Sequence, residues 1–528
     1  MKWLAAGKVS GSNRTFLAIV FIGLFALAAR NLTDPDLWWH LATGEYIAQH
    51  KSVPRTDPFS YTRAGERWVA HEWLSDLFLY DAERKTGSGG LIVIFAAVLC
   101  AAFFFLFLRC GRALYIAGVA TLAGAWATMP VWGVRPQVLS LLLTSLWLLI
   151  LEKSEENPRL LWWTLPLTLL WVNLHAGFAL GLVLSALFIA GGWIEYSLGH
   201  SKSAKTFLRP AVLTLFFDLL LVPLNPNGLR MFWYPVETLR SPAMRSYIQE
   251  WASPDFHRPE YWPFLLLIVI TLATLGWSRT HARPRDILLL VISLYAALVS
   301  IRMIPLFVLI AVPIIAKRVP EWPRSVVRAR HSAFRTALNS GLCLAMAAFA
   351  TVHVAAVIHS QPQVEMQRFP VRAVKFLQTH SLAGNIFNHY DWGGYLIWKL
   401  YPSHRVFIDG RADLYGENLL RQFAQTYQFE DNWGQTLKQW SIQAALVPRD
   451  SALATGLQAS PDWAIAYQDD QAIVLILRSL PSDSNFGLRL SVSRYPPGKM
   501  SWQGSPANSY LGMRENYPPQ GILQGIMW

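Results

Sequence analysis

Apolar runs of roughly twenty residues recur along this chain, and a hydrocarbon layer about 30 Å thick is the environment that asks for that length. They fall near 14–30, 91–108, 113–131, 138–152, 160–174, 178–198, 208–224, 262–277, 286–300, 303–316 and 335–358. Only helices and closed barrels satisfy their own backbone in lipid. Unbroken apolar runs of this length predict a polytopic α-helical membrane protein with about eleven transmembrane helices. The charge content agrees: 15% of residues are charged, against about a quarter in an ordinary soluble protein.

The basic residues orient the bundle. Arg109/Arg112, Lys153/Arg159, Lys202/Lys205/Arg209, Arg279/Arg283/Arg285 and Lys317/Arg318/Arg324/Arg328/Arg330 occupy alternate connections, which the positive-inside rule places in the cytoplasm. The intervening short connections carry little more than Arg135 and Arg302. This predicts a multi-pass protein of the cytoplasmic (inner) membrane, with its N-terminus inside and its C-terminal part outside. The first run, flanked by Lys2, Lys8 and Arg14, has no small-residue cleavage site after it and reads as an uncleaved span. A formal charge of +13 spread in this way makes no stripe for phosphates, so nucleic acid is not an expected partner. Cys100, Cys110 and Cys343 all lie in apolar stretches, which suggests neither a disulfide framework nor a cysteine metal site.

The expected organisation is a transmembrane module over 1–360, an extracytoplasmic α/β domain over 361–480 and a disordered Pro/Gly/Ser-rich tail over 481–528. Outer loops of the module cover 31–90, with two interfacial helices, and 225–261. Strand-like runs are Asn385-Ile-Phe-Asn, Arg405-Val-Phe-Ile, Ala444-Ala-Leu-Val, Trp463-Ala-Ile-Ala and Ala472–Leu477, with helical patterns near 394–400 and 416–429.

The first outer loop holds most of the chemistry. It runs Asp34-Pro-Asp-Leu-Trp-Trp-His, then Pro54-Arg-Thr-Asp-Pro-Phe, then His71-Glu-Trp-Leu. In a helix over 37–50, Asp36 and His40 lie one turn apart, and Trp38 and Leu41 form an apolar face suited to the membrane interface. The same spacing pairs Glu72 with Asp76. Carboxylates just outside lipid can deprotonate a hydroxyl or hold a divalent cation, Mg2+ or Mn2+, against a phosphate; Asp34 and Asp36 are the candidates for either task. Asp34-Pro-Asp is equally a good helix start, and Trp38 and Trp39 equally suit an aromatic belt.

Polar residues also mark the outer helix ends: Arg135, Asn173, His175, Asn225, Asn227 and Arg302. An arginine there can snorkel to water or meet a lipid phosphate. Arg302 is read as phosphate-binding, and Arg135 is open between the two. Asp218 sits mid-span and is protonated, paired or functional. In the outer domain, Tyr390-Asp-Trp-Gly-Gly, following His389, is either a recognition platform or a strand-to-helix turn, and Asp409 and Arg411 are placed to pair.

Taken together, the first span, the acidic loop with its Pro-x-x-Asp-Pro-Phe segment, the many spans and the outer α/β part resemble the GT-C superfamily of integral-membrane glycosyltransferases. Asp36-x-x-x-His40 resembles the first-loop signature of oligosaccharyltransferases. His389-Tyr-Asp-Trp-Gly393 is similar to their acceptor motif, with His for the first aromatic and Trp for Tyr. A more distant likeness is to protein O-mannosyltransferases. The resemblance implies an inverting glycosyltransferase using a polyprenyl-phosphate or polyprenyl-diphosphate sugar. Asp36 or Asp34, with His40, would be catalytic; Arg302 and Arg135 would bind the donor phosphate. Glu72, His71, His175, Tyr390, Asp391 and Trp392 would serve the acceptor, whether glycan, lipid or protein. A non-enzymatic transporter or scaffold component of envelope polysaccharide assembly is the alternative, and it predicts a cavity that crosses the membrane.

Overall fold

The structure, a computed structural model, describes residues 11–478 except 112, 200–203, 279–281, 320–332, 381 and 383. The tail expected to be disordered, 481–528, lies outside the described residues, as do Lys2, Lys8, Arg112, Lys202, Arg279, Arg324, Arg328 and Arg330.

The membrane part contains α1 (Gly11–Ala28), α2 (Asp36–His50), α3 (Trp73–Arg109), α4 (Leu114–Thr128), α5 (Pro136–Ser154), α6 (Thr164–Leu174), α7 (Phe178–Ser197) and α8 (Ala204–Leu221). Two short helices, α9 (Tyr234–Arg240) and α10 (Pro242–Tyr247), interrupt the middle loop. Then come α11 (Trp262–Trp277), α12 (Pro284–Val299), α13 (Ile304–Arg318) and α14 (Ala333–Arg368). Among the described residues seven helices are long and apolar enough to cross a membrane, with the shorter apolar Asn13–Ala28 beside them. Their outward faces carry Val119, Leu344 and Val352, each more than 60% exposed. A helix with apolar side chains on the side away from its neighbours needs lipid there. The protein is a multi-pass membrane protein.

The remaining chain forms α15 (Val371–Thr379), β1 (Asn385–Asn388), α16 (Gly393–Leu400), α17 (Ala412–Tyr427), α18 (Trp433–Gln439), β2 (Ile442–Pro448), α19 (Ala452–Ala459), β3 (Trp463–Gln468) and β4 (Ala472–Leu477). The sheet order is β1-β2-β4-β3, with β1 parallel to β2 and the other pairs antiparallel. β2 and β4 carry near-continuous apolar runs because helices cover both faces of the sheet centre.

Two expectations need correction, and one does not. Gly87, with φ 66° and ψ −177°, divides α3 into a helix over 73–86 and a second over 88–109, so the second helix of the first loop is distinct from the apolar run that follows it. That φ is one glycine adopts without strain. Trp38 and Leu41 do not face the membrane interface. Trp38 is 3% exposed and packs edge-on against Phe369 and Tyr395, because the C-terminal part seats on α2 and buries that face. Finally, 405–408 is not a strand. The Asn388 side chain takes the place of a neighbouring strand there, accepting from Phe407 N and donating to the Ile408 carbonyl at 2.8 Å each.

One hydrophobic core therefore spans both parts of the chain, joining Leu37, Phe59 and Trp68 to Trp392, Leu396 and Val474. A buried charge cluster fastens the same seam. Arg411 donates to both oxygens of Asp409 and reaches Asp57 of the first loop at 2.7 Å. Asp57 also accepts from Phe59 N and Ser60 N, each at 3.0 Å. Asp218, the mid-span carboxyl, meets the hydroxyls of Thr164 and Thr168 at 2.8 and 2.7 Å and so joins α8 to α6.

Removing one member of a buried ion cluster leaves uncompensated charge, at a cost of about 3–5 kcal/mol. Asp57→Ala is therefore expected to lower the thermal unfolding midpoint in detergent by many degrees. An unchanged midpoint would show that the seam does not depend on Arg411.

Candidate active site

A cavity of about 1090 Å³ opens where the outer helix ends meet the C-terminal part. Three groups of side chains line it.

The first group is acidic. Asp34 accepts from Asp36 N at 3.0 Å, so the helix-start reading of Asp34-Pro-Asp holds, yet both carboxylates also face the cavity. Arg135 lies at the N-terminus of α5 with its guanidinium 3.2 Å from Asp34 and 3.5 Å from Asp36, and it contacts Glu250 of the middle loop as well. Trp39 Nε1 donates to Asp36 at 3.2 Å. Gly410, just after the extended segment 405–408, approaches so closely that a Cβ there would overlap the Asp36 carboxylate. Desolvation, then the neighbouring Asp34, push the Asp36 carboxyl up to about 6.

The second group centres on Glu72. Nε2 atoms of His71, His175 and His40 stand 3.0, 3.3 and 3.5 Å from its carboxylate. Hydrogen bonding sets each ring. His175 Nδ1 accepts from Gly177 N at 2.8 Å, so its proton sits on Nε2 and points to Glu72; burial holds His175 down to about 3. His40 has Asp76 at 2.6 Å on Nδ1 and Glu72 on Nε2. Burial would lower its pKa, but the two carboxylates outweigh it and leave it raised. Burial would likewise raise Glu72, but the imidazoles hold it well below the usual carboxylate range. Gly44 lets α2 reach α3, since a Cβ there would overlap the Asp76 carbonyl.

The third group is Arg302 on the turn before α13, beside Trp251. Its guanidinium stands 5.5 Å from the Trp251 ring centroid and forms no ion pair among the described residues. Burial lowers it to about 10, so it keeps its charge at neutral pH. Below the polar groups the wall is apolar: Phe95, Leu99, Leu141, Leu180, Leu306 and Leu309.

Asp34, Asp36, His40, His71, Glu72, Arg135, His175, Arg302, Tyr390 and Asp391 all line this one cavity. Trp392 does not: its indole donates to the Arg368 carbonyl at 3.1 Å and its ring lies in the core. The asparagines expected near the site organise turns instead. Asn225 donates to the Val172 and His71 carbonyls, and Asn173 accepts from Trp73 Nε1. Burial first, then Asp36 and Asp34, raise Asp391 to about 7. The expected cation site at Asp34 and Asp36 does not fit a metal ion, because the Arg135 guanidinium already bridges the two carboxylates. Among the described residues the group that could hold one is His40, Glu72 and Asp76. Glu250, Trp251, Gln137 and Gly410 also line the cavity without having been singled out. Only Asp76, four residues after Glu72, had a spacing signal.

Among the described residues, the cavity does not extend to the opposite end of the bundle, the one expected to face inward. There Arg109 and Lys317 pair with Glu152, while Arg283 pairs with Glu155 and Glu195; none of these residues lines it. The 16 residues of α12 separate Arg283 from the Arg302 turn, about 24 Å at 1.5 Å per residue.

No protein-family model matches the sequence, and no curated protein matches it. Solved structures do. The archaeal oligosaccharyltransferase AglB from Archaeoglobus fulgidus, in complex with an inhibitory peptide and a dolichol-phosphate, superposes with a TM-score of 0.51 at 10% identity, covering 82% of this chain and 69% of that one. ArnT from Cupriavidus metallidurans bound to undecaprenyl phosphate gives 0.47 at 13% identity, covering 89% and 98%. Arabinofuranosyltransferase AftD from Mycobacteria gives 0.47 at 14% identity, covering 91% of this chain and 40% of that one. These neighbours are GT-C glycosyltransferases, and what this chain shares with AglB, at 10% identity, is the fold.

The close approach of Gly410 yields a test of the site's geometry. Gly410→Ala must displace the Asp36 carboxylate or the segment 405–411, and overpacking of this kind costs about 1–3 kcal/mol. The expected result is a lower unfolding midpoint in detergent, whereas Gly434→Ala, with open space around its Cβ, leaves it in place.

Proposed function

We propose that this protein is a membrane glycosyltransferase that moves a sugar from a polyprenyl-phosphate or polyprenyl-diphosphate carrier to a glycan, lipid or protein acceptor at the extracytoplasmic face of the cytoplasmic membrane. The observation that carries the proposal is that a carboxylate with a raised pKa, Asp36, and a cation without a carboxylate partner among the described residues, Arg302, line one cavity whose lower wall is apolar. The fold shared with AglB, itself solved with a dolichol-phosphate, supports the same reading.

In this reaction the prenyl chain lies against the apolar wall and its phosphate meets Arg302. Asp36 takes the proton of the acceptor hydroxyl as the acceptor oxygen bonds to the anomeric carbon. The bond from that carbon to the phosphate oxygen breaks, and its electron pair leaves with the phosphate, where the guanidinium stabilises the charge. Attack opposite the leaving phosphate inverts the anomeric centre. Arg135 holds Asp34 and Asp36 in place, and the Glu72 cluster fixes His40, His71 and His175 along the floor. The C-terminal part closes the cavity against water, which would otherwise hydrolyse the donor. A transporter needs a path to the inner face, and the ion-paired inner end does not support one.

Transfer from radiolabelled polyprenyl-phosphate sugars, in membranes carrying the protein, tests the proposal. Asp36→Asn is expected to lower kcat by 10²–10⁴-fold, the usual share of a general base, and Arg302→Gln by 10²–10³-fold, as for a lost charge-stabilising donor. Undiminished transfer in Asp36→Asn removes the catalytic assignment. Since the working form of Asp36 is the carboxylate and its pKa lies near about 6, the wild-type rate should fall about tenfold per pH unit below that value. A flat profile from pH 7 to pH 5 contradicts this role.

A further inference from the structure

Among the described residues, several polar side chains on the cavity wall besides Arg302 have no hydrogen-bond or ion-pair partner. Tyr390 is 5% exposed, and its hydroxyl is buried with no hydrogen-bond partner. The side-chain oxygen of Gln137 is likewise buried without a partner. Asp391 forms no hydrogen bond and no ion pair with any described residue. All three line the cavity that holds Asp36 and Arg135. Leaving a buried polar group unpaired is costly, and native proteins rarely do so without a reason. Two such groups, with an unengaged carboxyl beside them, ask for a ligand that both donates and accepts hydrogen bonds. A ring bearing several hydroxyls does this; a hydrocarbon chain or a bare phosphate does not.

The placement along the helices says which ring. Gln137, Leu141 and Thr144 follow one another down the cavity face of α5, and Arg302, Leu306 and Leu309 do the same at the start of α13. A prenyl chain lying on those apolar steps brings its first polar groups to Arg302 and Gln137. Tyr390 and Asp391, from the C-terminal part, line the same cavity and lie within electrostatic reach of Asp36. We infer that Gln137, Tyr390 and Asp391 form the subsite that binds the hydroxyls of the donor sugar, and so set which lipid-linked sugar the protein accepts. This rests on the glycosyltransferase reading above and adds the residues that recognise the sugar, as distinct from its carrier.

The subsite is testable because its polar atoms have no partner in the protein itself. Gln137→Leu and Tyr390→Phe remove them with little change of shape, so neither should lower the unfolding midpoint. A structural role for either group predicts a clear drop. Binding of undecaprenyl phosphate and of an undecaprenyl-phosphate sugar to protein in detergent, measured by native mass spectrometry, separates the two parts of the donor. Each variant is expected to lose about tenfold in affinity for the sugar-bearing lipid, the equivalent of one net hydrogen bond, and nothing for the bare lipid phosphate. Wild type that binds both lipids, with variants indistinguishable from it, overturns the subsite and leaves the proposed function standing. Equal losses for both lipids also overturn it, since the residues would then act on the phosphate. Wild type that binds neither lipid sinks the proposed function, and the subsite with it.

Discussion

The fold of the site depends on one buried guanidinium, that of Arg411. Arg411, 2% exposed, is held by Asp409 from its own segment and by Asp57 from a loop more than three hundred residues earlier. Burying three charges is favourable only if each finds its partners, and here they do. Asp57 uses its remaining capacity on the turn at Phe59 and Ser60, and Asp409 takes the Tyr415 hydroxyl. The result is a fixed distance between the first outer loop and the extended segment 405–411. Gly410, one residue before Arg411, is thereby pressed against Asp36 with no room for a side chain. Backbone at Gly410 therefore bounds the carboxylate on one side, while Trp39 and Arg135 contact it with side chains.

Charge is then distributed unevenly over the cavity. Arg135 meets three carboxylates. Arg302 meets none among the described residues and rests near an indole, which is itself favourable to a cation. Two arginines that look alike as outer-end cations thus do different work, one organising the acid groups and the other left available to an anion. The Glu72 cluster gathers three imidazoles within 3.5 Å of one carboxylate, with His71 hydrogen-bonded to Glu72 and His40 to Asp76. Asp36 and Arg302 thus line one cavity without pairing with each other.

Much of this was legible in the sequence, for a reason that lies in the solvent. Lipid constrains composition over twenty residues at a time, so apolar runs and basic clusters announce themselves. The acidic first loop stood out because carboxylates beside a membrane are costly without a task. Side-chain placement across long separations was not legible. Glu250 joins Arg135 from a loop with no distinctive pattern, and Gly410 matters only because Asp36 is near. Trp38 was read as an interfacial anchor because burial by a domain 350 residues later leaves no local trace. Residues 405–408 have the apolar run of a strand, but pairing decides strands, and there Asn388 supplies the hydrogen bonds that a neighbouring strand would have made.

The two ends of the bundle differ in a way that bears on what the protein can do. At the inner end, Arg109, Arg283, Arg285 and Lys317 are matched by Glu152, Glu155 and Glu195. The contacts cross between α3, α5, α7, α12 and α13, so separating those helices would break several ion pairs at once. At the outer end the polar groups surround open space. A molecule that alternates access must open each end in turn, and bonds that resist opening on one side work against that cycle. The bundle is thus ion-paired across its helices at one end and hollow where it meets the C-terminal part.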